Sequence, residues 1–312
     1  MRVFRHWSEV PTALKGGAVA IGNFDGLHRG HEHLIALARE EAARRGGPAG
    51  VLTFEPHPRR LFRPDDPPFR LSPFRMKMRR LAELGLDYAV VLHFDAAFAS
   101  TTAETFVGDI LQAGLGVAHV TVGEDFRFGH KRGGDVALMR AAGIDVTAAF
   151  AVRDETAAPI SSSRIRTLLS EGNPRDAARL LGRVWETEGR VQKGDQRGRT
   201  LGFPTANVPP DTDVLQPKFG IYAIEAQNED APGSPWIPGV ANWGIRPMYA
   251  LETPLLEAHL FDFSGDLYGK HLRIRWVEYI RGEAKFEGID ALIAQMALDS
   301  AAARSALAAP AL

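Results

Sequence analysis

Cysteine is absent from all 312 residues, which excludes disulfides and thiolate-bound metal sites and fits a reducing cytoplasm. An excess of either charge is missing as well. The 37 lysines and arginines against 38 aspartates and glutamates leave a formal net charge of −1, which argues against a general nucleic-acid or polyanion binder. No apolar run approaches the roughly 20 residues that span a bilayer, so a soluble protein with no membrane partner is expected. The opening MRVFRHWSEV carries Arg2, Arg5 and Glu9 and lacks the apolar segment of a signal peptide. Internal repeats are absent, and the one low-complexity tract is the alanine-rich C-terminus. A chain of this length is expected to form two domains, each with its own core.

What the chain does have is a glycine-bearing turn after an apolar segment. Ala18, Val19, Ala20 and Ile21 lead into Gly22, Asn23, Phe24, Asp25 and Gly26; His28 and His31 follow, and Leu34, Ile35, Leu37 and Ala38 open an apolar-periodic run. The pattern reads as strand, turn and helix. Such a turn aims free backbone N–H groups and the positive end of a helix at whatever lies over it, which favours phosphate. Side chains three apart share a helix face, so His28 and His31 can reach one phosphoryl group, whereas His33 points elsewhere. The residues alone leave two other readings, an ordinary polar surface and a zinc site built on paired histidines. The lack of cysteine and the glycines beside these histidines suit close approach to a ligand better than a closed metal cage.

A helix over about residues 31–45 and a strand over 50–54 complete a βαβ unit of a parallel sheet, and the strand runs into Phe54, Glu55, Pro56, His57 and Pro58. Ligands of such sheets lie beyond the carboxyl ends of the strands, which places the first turn and this loop on one rim. Residues 59–73, rich in proline and charge, are expected to form a mobile loop near it. Helices over 76–84, 102–113 and 136–142 and strands over 88–93, 117–122 and 145–152 continue the alternation, with Asp125 in the glycine-flanked turn after the 117–122 strand. Ser161, Ser162, Ser163 and Arg166 then combine capping hydroxyls, free N–H groups and a bidentate phosphate donor, the alternative being a plain cap with a solvated arginine. A helix introduced by Gly172, Asn173 and Pro174 closes a doubly wound first domain, residues 1–183.

Residues 184–312 differ in character. Short strand-like pieces at 185–191, 220–226, 238–242, 255–261 and 272–280, separated by glycine, proline and asparagine, predict an antiparallel barrel or sandwich, with a helix over 288–306 packed on it. Within GDQRGRTLGFPTAN, residues 194–207, glycines and arginines including Gly202 can approach phosphates. Thr205 and Asn207 point to one side of an extended backbone, where a hydroxyl and an amide suit magnesium carrying nucleotide phosphates; a tight turn with a buried threonine is the alternative.

The stretch GNFDGLHRGH, residues 22–31, resembles the GxFDxxHxGH signature of nucleotidylyltransferases in the form found in bacterial FAD synthetases. Residues 160–166 resemble the ISSTxIR motif of the same family, with Ser163 where threonine is commoner. In the second half GRTLGFPTAN is similar to the GRxLGFPTAN motif of riboflavin kinases. GIYA at 220–223, GVANWGIRP at 239–247, EAHLFDF at 257–263 with GDLYG at 265–269, and RGEAKF at 281–286 resemble further blocks in the same order, departing at Trp243 and Met248. The resemblance implies an N-terminal doubly wound nucleotidylyltransferase domain and a C-terminal antiparallel β-barrel riboflavin kinase domain with a terminal helix. It further implies a cytoplasmic enzyme that makes FMN from riboflavin and Mg-ATP and then joins FMN to the AMP part of a second ATP to give FAD. On that implication His28 and His31 act on the ATP phosphates, and Gly22, Asn23, Phe24, Asp25 and Gly26 form the nucleotide turn. Ser162, Ser163 and Arg166 hold the pyrophosphate end; Phe54, Pro56, His57 and Asp125 contact flavin or phosphate. Gly202, Thr205 and Asn207 hold Mg-ATP for the kinase, and Glu257 is its general base. Three alternatives remain: a chain that has lost one activity, a nucleotidylyltransferase for another substrate such as a pantetheine or nicotinate nucleotide, and a flavin-binding regulator without turnover.

Overall fold

The computed structural model describes residues 1–193, 203–248 and 251–309. They cluster into two compact units: Met1–Pro67 with Phe74–Ser161, and Pro68–Pro73 with Ser162–Leu312. No helix among the described residues is long and apolar enough to cross a membrane.

The first unit runs β1 (Arg2–Phe4), β2 (Ala18–Ile21), α1 (Arg29–Arg45), β3 (Ala49–Glu55), α2 (Pro58–Phe62), α3 (Phe74–Glu83), β4 (Tyr88–His93), α4 (Ala96–Ala99), α5 (Ala103–Thr105), β5 (His119–Gly123), α6 (Val136–Ala141) and β6 (Asp145–Ala149). All neighbouring strands pair in parallel, in the order β1-β4-β3-β2-β5-β6. A parallel sheet is covered on both faces, which is why β2 is apolar throughout and β3 is broken only by the buried Thr53 before its terminal Glu55. Alternate residues divide between the faces. Val19 and Ile21 join Leu52, Val90, Phe106 and Ile110 in one core, whereas Ala18 and Ala20 meet Leu34, Ile35 and Ala38 of α1 and Leu81 of α3 in the other. The alternation expected from the sequence is present. Residues 102–113, read as an ordinary helix, instead form α5 followed by a π-helical turn over Phe106–Gly114. The three-residue edge strand β1 was not foreseen, because three residues carry too little periodicity to register.

At the amino ends of the strands His119 of β5 lies 3.3 Å from Asp145 of β6 and 3.9 Å from Glu41 of α1, and Arg45 pairs with both carboxylates. Hydrogen bonding with His119 above all, and then the charges of His119 and Arg45, hold the Asp145 carboxyl below its ordinary range. This cluster ties α1 to the amino-end rim of the sheet, opposite the carboxyl ends of the strands.

The second unit contains α7 (Ser162–Glu171), α8 (Pro174–Leu181), β7 (Trp185–Arg190), β8 (Ala206–Val208), β9 (Gly220–Asn228), β10 (Ile237–Met248), β11 (Leu251–Leu260), β12 (His271–Arg281) and α9 (Ile289–Ala308). The strands form one antiparallel sheet in the order β7-β12-β9-β10-β11-β8. Gln192, just past β7, donates its backbone N–H to the Asn207 carbonyl of β8 at 2.8 Å, joining the two edges into the expected barrel. Trp185, Tyr222, Trp243 and Trp276 fill the interior with rings 4.9–6.0 Å apart. Ala223, Val240 and Phe261 meet Ala303 of α9, which covers part of the outer face.

Packing and sequence character divide the chain at different points. The helices α7 and α8, which the sequence groups with residues 1–183, cluster with the barrel, where Arg175 of α8 pairs with Glu278 of β12. The stretch 59–73, expected as a mobile loop, opens with α2, and its last part is bound into the second unit. Phe69 and Leu71 are buried there, and the Leu71 carbonyl accepts from the Trp185 indole at 2.8 Å.

Candidate active sites

In the first unit the chain leaves β2 for β3 on one side and later returns to place β5 on the other, so the order reverses at the carboxyl end of β2. A crevice opens at such a point, and the turn Gly22–Leu27 stands in it. Phe24, Gly26 and Leu27 have φ of 50°, 78° and 44°. Left-handed backbone at two bulky residues is costly and persists because both side chains are sunk in the α1-side core, 0% and 1% exposed. The Asn23 carbonyl is fixed by the Thr53 hydroxyl and the Lys77 ammonium, each donating at 3.2 Å.

His28 ends the turn as the N-cap of α1, and its Nδ1 accepts the His31 backbone N–H at 3.3 Å. A ring nitrogen that accepts leaves the proton on the other, so neutral His28 presents Nε2–H as a donor. The His28 and His31 rings stack 3.7 Å apart at 15°, and the Phe24 ring braces His31 from 5.4 Å. A Cβ at position 30 would stand 3.2 Å from the His28 ring, so Gly30 lets that ring lie over the first helical turn. The result is one imidazole pair beside the amino end of a 17-residue helix, an arrangement suited to a phosphoryl group. His33 is exposed, away from the pair.

The remaining residues expected on this rim have varied surroundings. Phe54 is buried against Phe94 and Phe98, and His57 caps α2 by accepting the Arg59 N–H at 3.1 Å; Pro56 lies between them. Asp125 is exposed in the turn after β5, and Asp25 is buried. Ser162, Ser163 and Arg166 stand in the first turns of α7 in the second unit, where Arg166 Nε donates to the Phe69 carbonyl at 2.7 Å. Lys77 went unnoticed in the sequence. It is 2% exposed, donates to the Asn23 carbonyl and pairs with Glu55 Oε2 at 3.1 Å, tying the Gly22–Leu27 turn to the end of β3. Removing one partner of such a buried pair costs about 3 kcal/mol. Lys77→Met is therefore expected to lower the denaturant midpoint clearly, with Lys77→Met/Glu55→Gln recovering part of the loss. An unchanged midpoint would mean the pair contributes no net stability.

The second unit carries its own constellation on the outer face of the barrel. Glu257 of β11 is in register with Asn207 of β8 on one side and Asn242 of β10 on the other. Cross-strand partners share a face, so the carboxylate is flanked by two amides. Asn242 Nδ2 lies 3.5 Å from Glu257 Oε2. The Oδ1 atoms of Asn207 and Asn242 are buried and accept no hydrogen bond among the described residues. Thr205 is two residues before Asn207, just ahead of β8. His259, two along β11 from Glu257, donates Nδ1–H to the Pro204 carbonyl at 2.9 Å. Trp243 alternates inward, is 2% exposed and donates Nε1–H to the Pro217 carbonyl at 3.1 Å, so this departure from the motif fills the core and leaves the Glu257 face intact. Gly202 and residues 194–202 generally lie outside the described residues. Asn242 was missed because strand register, which puts it beside Glu257, cannot be read from a motif.

Comparison with known proteins agrees with both halves. Residues 10–164 match the family described as FAD synthetase, and residues 181–307 the family described as riboflavin kinase. The chain is 42% identical over 308 residues to the bifunctional riboflavin kinase/FMN adenylyltransferase of Escherichia coli strain K12, covering 97% of this chain and 96% of that one. It is 41% identical to the protein of the same name from Pseudomonas fluorescens, covering 99% of both chains. A solved structure from Streptococcus pneumoniae, reported as a macrolide-efflux protein, superposes with a TM-score of 0.86 at 28% identity over 97% of this chain and 98% of that one.

Proposed function

Because the chain belongs to the bifunctional riboflavin kinase/FMN adenylyltransferase family, we propose that its two constellations divide that family's two reactions, with Glu257 serving the kinase and the histidine pair the adenylyl transfer. The protein is a transferase of flavin cofactor synthesis with small-molecule substrates. ATP and riboflavin enter, and FMN and FAD leave.

In the kinase step the terminal hydroxyl of the ribityl chain attacks the γ-phosphorus of ATP; the new O–P bond forms as the β–γ bridge breaks and ADP departs. Glu257 accepts the hydroxyl proton as that bond forms. The observation that carries this assignment is the register of Asn207 against Glu257, which sets a proton acceptor beside an oxygen ligand. The buried Asn207 Oδ1, without a donor among the described residues, fits a hard cation, and Thr205 and Asn207 would hold Mg2+ there. When bound, the ion supplies charge neutralisation for the nucleotide phosphates. Gly202 is kept as a phosphate contact by its motif alone.

In the adenylyl transfer a phosphate oxygen of FMN attacks the α-phosphorus of a second ATP, and the α–β bridge breaks to release pyrophosphate. No protein nucleophile is needed, so the protein places the reactants and stabilises charge. His28 Nε2–H and His31 donate to phosphate oxygens, while Gly22, Asn23, Phe24, Asp25 and Gly26 shape the nucleotide turn. Ser162, Ser163 and Arg166 are assigned to phosphate, and Asp125, Phe54, Pro56 and His57 to the flavin or its phosphate. The proposed domain limits are 1–183 and 184–312, the location cytoplasmic, and nucleic acid is no partner.

Riboflavin and Mg-ATP incubated with the purified protein, with flavins separated over time, test the scheme. FMN that rises and then gives way to FAD is the expected course. Neither product from folded protein would overturn it in favour of a binding-only role, and FMN alone, with none adenylylated when FMN is supplied, would remove the N-terminal assignment.

A further inference from the structure

Glu257 has an amide on each side, and the two are not equivalent. An ionised carboxylate only accepts hydrogen bonds, so the NH2 end of Asn242 faces Glu257 Oε2, as the 3.5 Å contact shows. Its Oδ1 then points away, buried and without a donor among the described residues, as is the Oδ1 of Asn207 across the strand. A buried acceptor left unmade is costly, so a pair of them flanking one carboxylate points to donors or cations that arrive with ligands. Strand alternation fixes which way Asn242 faces, since Ala241 and Trp243 on either side are sunk in the barrel, 1% and 2% exposed.

The same face carries a second carboxylate. Gly244, two along β10 from Asn242, would place a Cβ 2.0 Å from Glu283 Oε1, so the Glu283 carboxylate lies over the strand only because a glycine is there. Among other charged groups on this face, His259 of β11 has its Nδ1 taken by Pro204, Arg281 of β12 is held at 2.6 and 2.8 Å by Asp299 of α9, and Glu225 of β9 pairs with Arg275 of β12 at 3.2 Å. Among the side chains discussed, Asn242 is the donor in contact with Glu257 from β10, on the strand that carries Glu283 above it.

Resting on the reading of Glu257 as the base, we propose that Asn242 is a positioning residue of the kinase step. Its amide NH2 holds the Glu257 carboxylate in place for the attacking hydroxyl, and its Oδ1 accepts a hydroxyl of the polyol substrate. Loss of the amide is therefore read as a lower kcat from the misplaced base together with a higher KM for riboflavin from the lost hydroxyl contact.

The test measures kcat and KM for riboflavin in FMN formation by wild type, Asn242→Asp and Asn242→Ala, with FAD formation from supplied FMN measured on the same samples to report intact protein. Asn242→Asp keeps an oxygen acceptor for the polyol but removes the donor to Glu257, so kcat is expected to fall about tenfold with KM for riboflavin near the wild-type value. Asn242→Ala removes both, so kcat is expected to fall about tenfold and KM for riboflavin to rise several-fold; it stands in should the aspartate variant not fold. Wild-type kcat and KM in the folded variants would overturn the proposal and reduce Asn242 to packing. Glu257→Gln run alongside separates the two failures. If that variant keeps full kinase activity the base assignment itself falls, whereas an inactive Glu257→Gln beside unchanged Asn242 variants sinks only the positioning role.

Discussion

His28→Ala is expected to reduce FAD formation from FMN and ATP at least a hundredfold while FMN formation from riboflavin continues at the wild-type rate. Removing one donor aimed at charge developing on a transferred phosphoryl group typically costs a factor of 10² to 10³, or about 3–4 kcal/mol of barrier. His28 also caps α1 through Nδ1, and losing a cap costs about 1 kcal/mol of stability. His28→Asn separates the two contributions. Asparagine is a strong N-cap and can accept the His31 N–H, yet it carries nothing at the position of Nε2. FAD formation should therefore remain low in His28→Asn while thermal stability returns to near the wild-type value. Recovery of FAD formation in that variant would mean that the cap, not the donor, is what the reaction needs. Loss of FMN formation in either folded variant would contradict the division of labour.

The histidine pair was legible because its geometry is local. The N-cap His28 and His31 in the first turn of α1 are three residues apart, and the glycine at 26 signals backbone that a side chain would resist. The parallel sheet was legible for a similar reason, since strands covered on both faces are apolar along most of their length. Lys77 and Asn242 were hidden for the opposite reason. Lys77 sits in a charged helix and looks solvated until α3 packs against the turn and buries it beside Glu55. Asn242 is one polar residue in a strand, and only the pairing of β10 with β11 sets it against Glu257. Residues 59–73 misled through composition. Proline and charge suggested freedom, yet Phe69 and Leu71 supply the apolar surface that fixes the segment's end to the second unit.

Register also explains why Glu257, indistinct from other acids in composition, is the expected point of failure for the kinase. Glu257→Gln keeps the volume and an acceptor oxygen between Asn207 and Asn242 but cannot take a proton at neutral pH. A general base contributes a factor of about 10² to 10⁴, so kcat for FMN formation is expected to fall by at least 10², with KM for riboflavin changed only a few-fold because the binding contacts remain. FAD formation from supplied FMN should be unaffected. Glu257→Asp sharpens the argument. It retains the chemistry but withdraws the carboxylate by one methylene from the Asn242 amide, so partial activity, well below wild type, is the expected result. Equal loss in Asp and Gln variants would mean that position outweighs proton transfer, as it does where the transition state is loose and the hydroxyl gives up its proton late. Full activity in Glu257→Gln would leave the carboxylate with no part in the reaction, and the buried Asn207 and Asn242 oxygens would then serve ligand binding alone.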